Sequence, residues 1–267
     1  MITGSNHTYV GRYDCKEMNG PENDRYKNLN TVIADFSDRI RNVLSVGCSQ
    51  GINEVIEAIQ FPDKQFTGID TNATAIERAV KGRWTFEDVS PYDNAFSSEK
   101  NLDLAKELFA QHCNPEYFEM DAQNGLVILK KPLPNTSFLR MNALSTGFPN
   151  ESFNLIISHY FDGSIKNLTE TQYSVGFEIE RLLPNDGLFW NQYGCYVYKR
   201  SGLMGHFEQV KKDGSGKVTY ESVDRSKLFP DPAQSDRPDL TLGGKKDIVE
   251  AIAHMIAKDI LRNHSQD

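Results

Sequence analysis

The stretch Val43–Gly51 constrains what this chain can fold into more than any other part of the sequence. An apolar run, Val43–Val46, leads into the small-residue turn Gly47–Gly51, and a second short apolar run ends in an acid, Asp70, nineteen residues after Gly51. This pattern predicts a strand, a glycine turn, a helix and a second strand. Glycines allow the backbone to approach a ligand closely and to adopt turn conformations that other residues resist. A carboxylate at the end of the second strand can accept hydrogen bonds from ribose hydroxyls, so the pattern predicts a nucleoside site.

The spacing of the turn narrows the choice of nucleoside. Dinucleotide-binding turns follow Gly-x-Gly-x-x-Gly, whereas this turn is Gly47-x-x-x-Gly51 with Ser49 in place of the middle glycine. That glycine lets a pyrophosphate approach the backbone, so its absence argues against a nicotinamide dinucleotide. Two alternatives stay open: the turn is an ordinary strand-to-helix connection, and Asp70 is a helix N-cap, a position that Asp also favours.

Composition excludes several classes of function. The 267 residues are 39% hydrophobic and 25% charged, as in a soluble globular protein. The 29 basic and 37 acidic residues give a net charge of −8, which disfavours binding to nucleic acid or to anionic lipid. No apolar run reaches the roughly 20 residues of a membrane helix, and the first residues lack the features of a signal peptide. The four cysteines are scattered (Cys15, Cys48, Cys113, Cys195), which predicts reduced thiols in the cytoplasm and no metal site.

The rest of the chain alternates between helical and strand patterns, interrupted once. We predict an N-terminal arm and helix over residues 1–40 and an α/β domain over 41–267, with an inserted subdomain at about 83–136. The insert contains an amphipathic helix at 102–109 and a hairpin around Asn124-Gly125, a strong turn signal. After the insert the alternation resumes, and hairpins then follow residue 192. Apolar residues at every fourth position predict a C-terminal helix over Lys246–Leu261.

Two downstream segments carry a family resemblance. Phe148–His159 runs into a continuous apolar strand, and Glu178–Phe189 reads as a helix, a Pro-Asn-Asp-Gly turn and the start of a strand. With the glycine turn and Asp70, they resemble the class I S-adenosylmethionine-dependent methyltransferases over roughly Arg41–Gln192. The resemblance implies a Rossmann-like sheet, S-adenosylmethionine as cofactor and S-adenosylhomocysteine as product.

Tyr117-Phe118 and Gly125–Ile128 lie in the insert. With these segments the insert resembles that of the chemoreceptor glutamate methyltransferases of the CheR type, which carry a small β-subdomain at this point of the fold. Ser49-Gln50-Gly51 and Phe138–Asn142 match that family in order and spacing. The chain departs from it at Ile52 and Asn53, where the family has two glutamates, and at 159–162, where the family has an Arg-Asn pair. In the family an N-terminal arginine lies near the cofactor, and Arg12 is the candidate here.

The resemblance implies roles for the candidate residues. The turn would wrap the methionine and ribose end of the cofactor, while Asn142 and Ala143 would contact adenine; an ordinary turn asparagine is the alternative for Asn142. Ligands of open parallel sheets gather at the carboxyl ends of the strands, which adds Ser158. The candidate cofactor residues are Gly47, Cys48, Ser49, Gly51, Asp70, Thr71, Asn142, Ala143 and Ser158.

His159 and Tyr160 are the candidate catalytic residues, because they follow the apolar strand directly. His159 would accept a proton from an amine or hydroxyl nucleophile, and Tyr160 would orient the methyl acceptor; a carboxylate acceptor needs no base. Packing at the edge of the sheet is the alternative for both residues. Trp84 is predicted to pack in the core or the insert and not to stack on a ligand.

Three functions follow from these features. The first is methyl transfer from S-adenosylmethionine to a carboxylate or other nucleophile of a protein or small molecule. The second is a non-catalytic module that binds S-adenosylmethionine and docks a partner. The third, a nicotinamide oxidoreductase, is disfavoured by Ser49 and by the hairpins after residue 192.

Overall fold

The structure is a computed structural model that describes residues 29–85, 114–121, 123–158, 169–191, 194–201, 204–212, 215 and 217–229. All of these lie in one compact unit, Met1–Asp231, and the second unit, Pro232–Asp267, falls outside them. In chain order the described elements are α1 (Leu29–Asp35), β1 (Asn42–Val46), α2 (Ile52–Gln60), β2 (Gln65–Asp70), α3 (Ala73–Lys81), β3 (Arg83–Thr85), β4 (Phe118–Asp121), β5 (Leu126–Leu129), β6 (Thr136–Arg140), β7 (Leu155–Ser158), α4 (Thr169–Leu182), β8 (Leu188–Asn191), β9 (Gly194–Ser201), β10 (Met204–Lys212), β11 (Val218–Val223) and α5 (Arg225–Leu228).

Five parallel strands form one half of the main sheet. Their spatial order is β6-β2-β1-β7-β8, which is 3-2-1-4-5 in their order along the chain. This is the doubly wound order, in which the direction of winding reverses between β1 and β7 and ligands bind at the carboxyl ends of the strands near that point. The protein is therefore a mixed α/β protein with a Rossmann-like sheet.

The central strands owe their position to continuous apolar character. All four residues of β7 and all four of β8 are buried, as expected for strands covered on both faces.

Capping residues define both ends of the helix α3. Asn72 caps its N-terminus, where the Asn72 side chain accepts hydrogen bonds from the backbone N–H groups of Thr74 and Ala75. It ends at Gly82, which adopts a left-handed conformation with φ 59°. Asn72 and Gly82 thus fix where α3 begins after β2 and where it ends before β3.

The other half of the main sheet is an antiparallel meander. β9 pairs with β8, β10 with β9 and β11 with β10, so β11 lies at one edge and β6 at the other. The aromatic side chains of Tyr198 in β9 and Phe207 in β10 are buried in one apolar cluster with Phe189 of β8. The antiparallel pairing of β9, β10 and β11 confirms the predicted change from helix–strand alternation to hairpins after residue 192.

The inserted segment forms a separate three-stranded antiparallel sheet with the order β3-β5-β4. The hairpin around Asn124-Gly125 is confirmed, because β4 and β5 pair across it. The sequence did not indicate β3, which follows α3 after one residue and pairs Trp84 with Val127. Trp84, Phe118 and Val127 pack with Ile52 and Val55 of α2, so the insert is seated on that helix.

Most predicted elements match the structure closely. The helix predicted after the glycine turn is α2, and the predicted strand that ends in Asp70 is β2. The apolar strand predicted within Phe148–His159 is β7, and the helix, turn and strand predicted over Glu178–Phe189 are the end of α4 and the start of β8. The helices predicted at 102–109 and 246–261 lie outside the described residues, as does the N-terminal arm. The domain boundaries at 40, 83 and 136 remain predictions. Within the described residues no helix is long and apolar enough to cross a membrane.

Gly51 offers a test of how tightly the glycine turn is packed. It adopts φ 69°, and a Cβ there would lie 2.3 Å from Cε1 of Phe138 and 2.9 Å from Cβ of Ala79. We expect Gly51→Ala to lower the free energy of unfolding by about 3 kcal/mol or more, because overpacking adds to the backbone strain. Urea denaturation followed by circular dichroism measures the change.

Gly147 provides the matched control for this substitution. Its φ is 70°, almost the same as that of Gly51, but a Cβ there would meet no atom within 4 Å. Gly147→Ala should therefore lower the free energy of unfolding by only about 1–2 kcal/mol, the cost of the left-handed conformation alone. Equal losses in the two variants would contradict the close packing of Gly51 against β6.

Candidate functional site

The candidate site lies at the carboxyl ends of the parallel strands. Val46, the last residue of β1, is in register with Ile69 of β2 on one side and with Ser158 of β7 on the other. Asp70 is in register with Arg140, the last residue of β6. The structure thus brings four features together at the carboxyl ends of adjacent parallel strands: the glycine turn, Asp70, the residues after β6, and Ser158.

The glycine turn is held in an unusual backbone conformation. Gly47, Ser49 and Gly51 all have positive φ, at 73°, 51° and 69°. The conformation suits glycine, but Ser49 pays a steric cost of roughly 1–2 kcal/mol for it. Backbone strain of this kind is typical of ligand-binding turns, so the conformation of Ser49 favours a functional role for this turn.

The turn also uses its own amides. The N–H groups of Gly47 and Cys48 donate to the carbonyl oxygen of Ile69 at 2.9 and 3.1 Å, and the N–H of Gly51 donates to the Cys48 carbonyl at 2.9 Å. The N–H of Ser49 donates to Oδ2 of Asp70 at 2.9 Å. Phosphate-binding turns point such amides at the ligand. The turn therefore does not offer these four amides to a pyrophosphate, which supports the exclusion of a dinucleotide.

Asp70 is the central polar residue of the site. Its Oδ2 accepts from Ser49 and its Oδ1 accepts from the backbone N–H of Asn72 at 2.8 Å. The side chain is only partly buried. A carboxylate has about four acceptor positions, so these two bonds orient the group and leave capacity for two ribose hydroxyls. Asn72, and not Asp70, caps α3, which removes the N-cap alternative for Asp70.

The other predicted cofactor residues take different positions. The side chain of Cys48 packs against Gly68, where an added Cβ would lie 2.8 Å from its Sγ. Burial raises the pKa of the Cys48 thiol well above its ordinary value, and the nearby Glu54 and Asp70 carboxylates raise it further. The Cys48 thiol is therefore buried and neutral. Thr71 is exposed, and its carbonyl accepts from Nε of Arg140 at 3.2 Å.

The loop after β6 is attached to Asp70 through the backbone, since the N–H of Met141 donates to the Asp70 carbonyl at 2.9 Å. Asn142 is exposed, and its Oδ1 accepts from the N–H of Leu144 at 3.0 Å. This is the turn role left open for it, and it leaves the side-chain NH₂ group as the donor available to a base. Ala143 is partly buried beside the core.

Ser158 and Asn191 end β7 and β8 and are in register with each other, 7% and 8% exposed. Asn191 is a buried polar residue that the sequence did not single out.

The two candidate catalytic residues, His159 and Tyr160, follow Ser158 immediately but lie outside the described residues, so their roles remain predictions. No group of three or more His, Cys, Asp or Glu side chains suited to a metal occurs in the part of the chain that the structure describes.

Glu54 is a second residue that the sequence did not single out. It lies in the first turn of α2, directly after the glycine turn, and is 1% exposed. Burial raises the pKa of Glu54 from 4.5 to about 7; the neighbouring Ser45 side chain and the Glu54 backbone partly oppose this rise, and the charge of Asp70 adds a smaller one. The available signal was helical spacing, because Glu54 lies one turn before the buried Ala58.

Comparisons with known proteins find similarity only in structure. No protein-family model matches the chain, and no curated protein matches it either. Partial structural similarity extends to YcgJ of Bacillus subtilis, 17% identical with a TM-score of 0.34, covering 61% of this chain and 48% of that one. PKMT2 of Rickettsia typhi in complex with AdoHcy is 18% identical with a TM-score of 0.34, covering 57% of this chain and 21% of that one.

The arsenic(III) S-adenosylmethionine methyltransferase CrArsM of Chlamydomonas reinhardtii is also similar, 18% identical with a TM-score of 0.34 and covering 57% of this chain and 39% of that one. The match spans less than half the length of each of these three structures. The strand order itself, and not these partial overlaps, defines the fold class.

The buried Glu54 predicts a pH dependence of stability. Because its folded-state pKa of about 7 lies above the ordinary value of 4.5, the folded protein retains a proton that the unfolded chain releases between these values. The contribution of Glu54 to stability therefore falls as pH rises through that window. We expect the stability of Glu54→Gln relative to the unsubstituted protein to increase from pH 4.5 to pH 8, by up to about 3 kcal/mol.

Urea denaturation at several pH values measures this difference. Glu119→Gln is the control, because it removes an equivalent carboxyl from an exposed position in β4. Its stability difference should stay nearly constant over the same pH range. A Glu54→Gln difference that did not vary with pH would contradict a protonated Glu54 in the folded protein below pH 7.

Proposed function

We propose that this chain binds S-adenosylmethionine at the carboxyl edge of its parallel sheet and transfers the methyl group to a nucleophile of a protein or small molecule. The observation that carries the proposal is Asp70, whose carboxylate is oriented by the backbone of the glycine turn and by Asn72 at the end of β2. The doubly wound order brings that carboxylate beside the switch point between β1 and β7.

The residues present fit this cofactor better than a dinucleotide. S-adenosylmethionine has two ribose hydroxyls for Asp70 and no pyrophosphate for the turn amides, four of which are already used within the protein. Gly47 and Ser49 would border the methionine end, and Asn142 would donate to adenine. When bound, the cofactor supplies a methyl group activated by a positively charged sulfur.

The catalytic role of the protein would be alignment. Methyl transfer is an in-line displacement, so the enzyme gains most by holding the nucleophile opposite the departing sulfur. Ser158 ends β7 at the switch point, and the adjoining His159 would accept a proton from an amine or hydroxyl, with Tyr160 orienting the acceptor. The CheR-type resemblance favours a carboxylate acceptor, for which His159 would not be required as a base.

A binding module without methyl transfer is the second candidate. One observation favours it: Ile52, which stands where the CheR type has a glutamate, is fully buried beneath the inserted sheet. The first position after the turn therefore presents no polar side chain to the site. Incubation with methyl-labelled S-adenosylmethionine and potential acceptors distinguishes the two, because labelled product is formed only by an enzyme.

Calorimetric titration tests the proposed function directly. We expect saturable binding of S-adenosylmethionine and S-adenosylhomocysteine with dissociation constants below about 1 mM, and no comparable binding of NADH. Folded protein that bound neither S-adenosyl compound at that concentration would overturn the proposal. Tight binding of NADH would favour the oxidoreductase instead.

Asp70→Ala tests the residue that carries the proposal. Loss of charge-assisted hydrogen bonds to ribose should weaken binding of S-adenosylmethionine by about 1.5–3 kcal/mol, or roughly 10- to 150-fold. Asp121→Ala is a matched control, since Asp121 also accepts two hydrogen bonds within a turn, from the backbone N–H and the side chain of Asn124 in the β4–β5 hairpin. Equal affinities of the two variants would contradict the ribose role of Asp70.

A further inference from the structure

We propose that Trp84 is a positioning residue that couples the inserted sheet to the glycine turn and thereby sets the affinity for the cofactor. The proposal rests on the function proposed above. It starts from one hydrogen bond: the indole N–H of Trp84 donates to the backbone carbonyl of Gln50 at 2.7 Å, and the bond is buried.

The position of Gln50 makes this bond important. Gln50 lies between Ser49 and Gly51, the two residues with left-handed φ of 51° and 69°. Because the accepting carbonyl is that of Gln50, the bond from Trp84 fixes the orientation of the Gln50–Gly51 peptide group. Because the N–H of Ser49 donates to Oδ2 of Asp70, a rotation of the turn would also disturb the carboxylate that we assign to ribose.

Gln50 is held from a second side. Its Oε1 accepts a hydrogen bond of 3.3 Å from Nη1 of Arg78 in α3, and the residue is 1% exposed. The turn is thus restrained by its side chain through α3 and by its backbone through β3. The backbone restraint comes from the insert, which is not part of the parallel sheet.

Trp84 is itself rigidly placed. Trp84 is fully buried and is in register with Val127 of the neighbouring strand β5. The centroid of its ring lies 6.2 Å from that of Phe118 in β4. Movement of the inserted sheet must therefore move the indole or break its bond to Gln50. By linkage, any preference of the cofactor for the restrained turn stabilises the insert by an equal amount.

Trp84→Phe tests this role, since it removes the N–H donor and retains an aromatic ring. We expect the dissociation constant for S-adenosylmethionine to rise about five- to tenfold, as for the loss of one buried hydrogen bond. Val127→Ala is the matched control: it removes packing from the partner of Trp84 but leaves the indole N–H in place, and should change the affinity less than about twofold. Thermal unfolding of both variants separates an effect on binding from an effect on stability.

A measurement on the unsubstituted protein keeps the test decisive if Trp84→Phe does not fold. The chain has two tryptophans, so nuclear magnetic resonance of ¹⁵N-labelled protein gives two indole N–H signals, which Trp190→Phe assigns. We expect S-adenosylmethionine to slow hydrogen exchange of the Trp84 indole several-fold more than that of Trp190, a buried residue of β8.

The outcomes separate this inference from the proposed function. Weaker binding in Trp84→Phe than in Val127→Ala, or selective protection of the Trp84 indole, supports the coupling. Unchanged affinity in a folded Trp84→Phe variant, or equal protection of the two indoles, overturns the coupling while leaving the proposed function intact. An unsubstituted protein that binds neither S-adenosyl compound overturns both.

Discussion

The hydrogen bond from the Ser49 amide to the Asp70 carboxylate is the interaction on which the candidate site depends. It joins the turn after β1 to the end of β2, with an N···O distance of 2.9 Å. Hydrogen bonds to charged groups contribute about 1.5–3 kcal/mol, which is enough to offset the roughly 1–2 kcal/mol cost of a left-handed serine. The strained turn and the oriented carboxylate therefore stabilise each other.

Features that cost stability are concentrated around this turn. Ser49 adopts a conformation that suits glycine, and Glu54 buries a carboxyl group directly after it. The central strands, by contrast, bury almost continuous apolar side chains. Backbone strain and a shifted pKa in one place are typical of functional sites, where local stability is given up for a defined geometry.

The inserted sheet adds a second restraint from outside the Rossmann-like sheet. Its packing against Ile52 and Val55 of α2 is an ordinary apolar contact, but the bond from Trp84 to Gln50 reaches the turn itself. The predicted packing role of Trp84 is confirmed by its complete burial beside Phe118 and Val127, since aromatic side chains gain much from removing a large surface from water. The sequence did not indicate the partner of the indole N–H, since Gln50 and Trp84 are 34 positions apart and no local signal predicts a contact between them.

The periodicity of apolar residues determined the order of helices and strands, because burial on one or both faces imposes a repeat that can be read directly. The glycine turn and Asp70 were predictable for the same kind of reason: special backbone conformations and a strand-terminal acid depend on local residue types. The tertiary structure decided that the Ser49 amide bonds to Asp70 and that the Trp84 indole bonds to Gln50. These depend on which strands become neighbours, and that choice arises from contacts between residues distant in the chain.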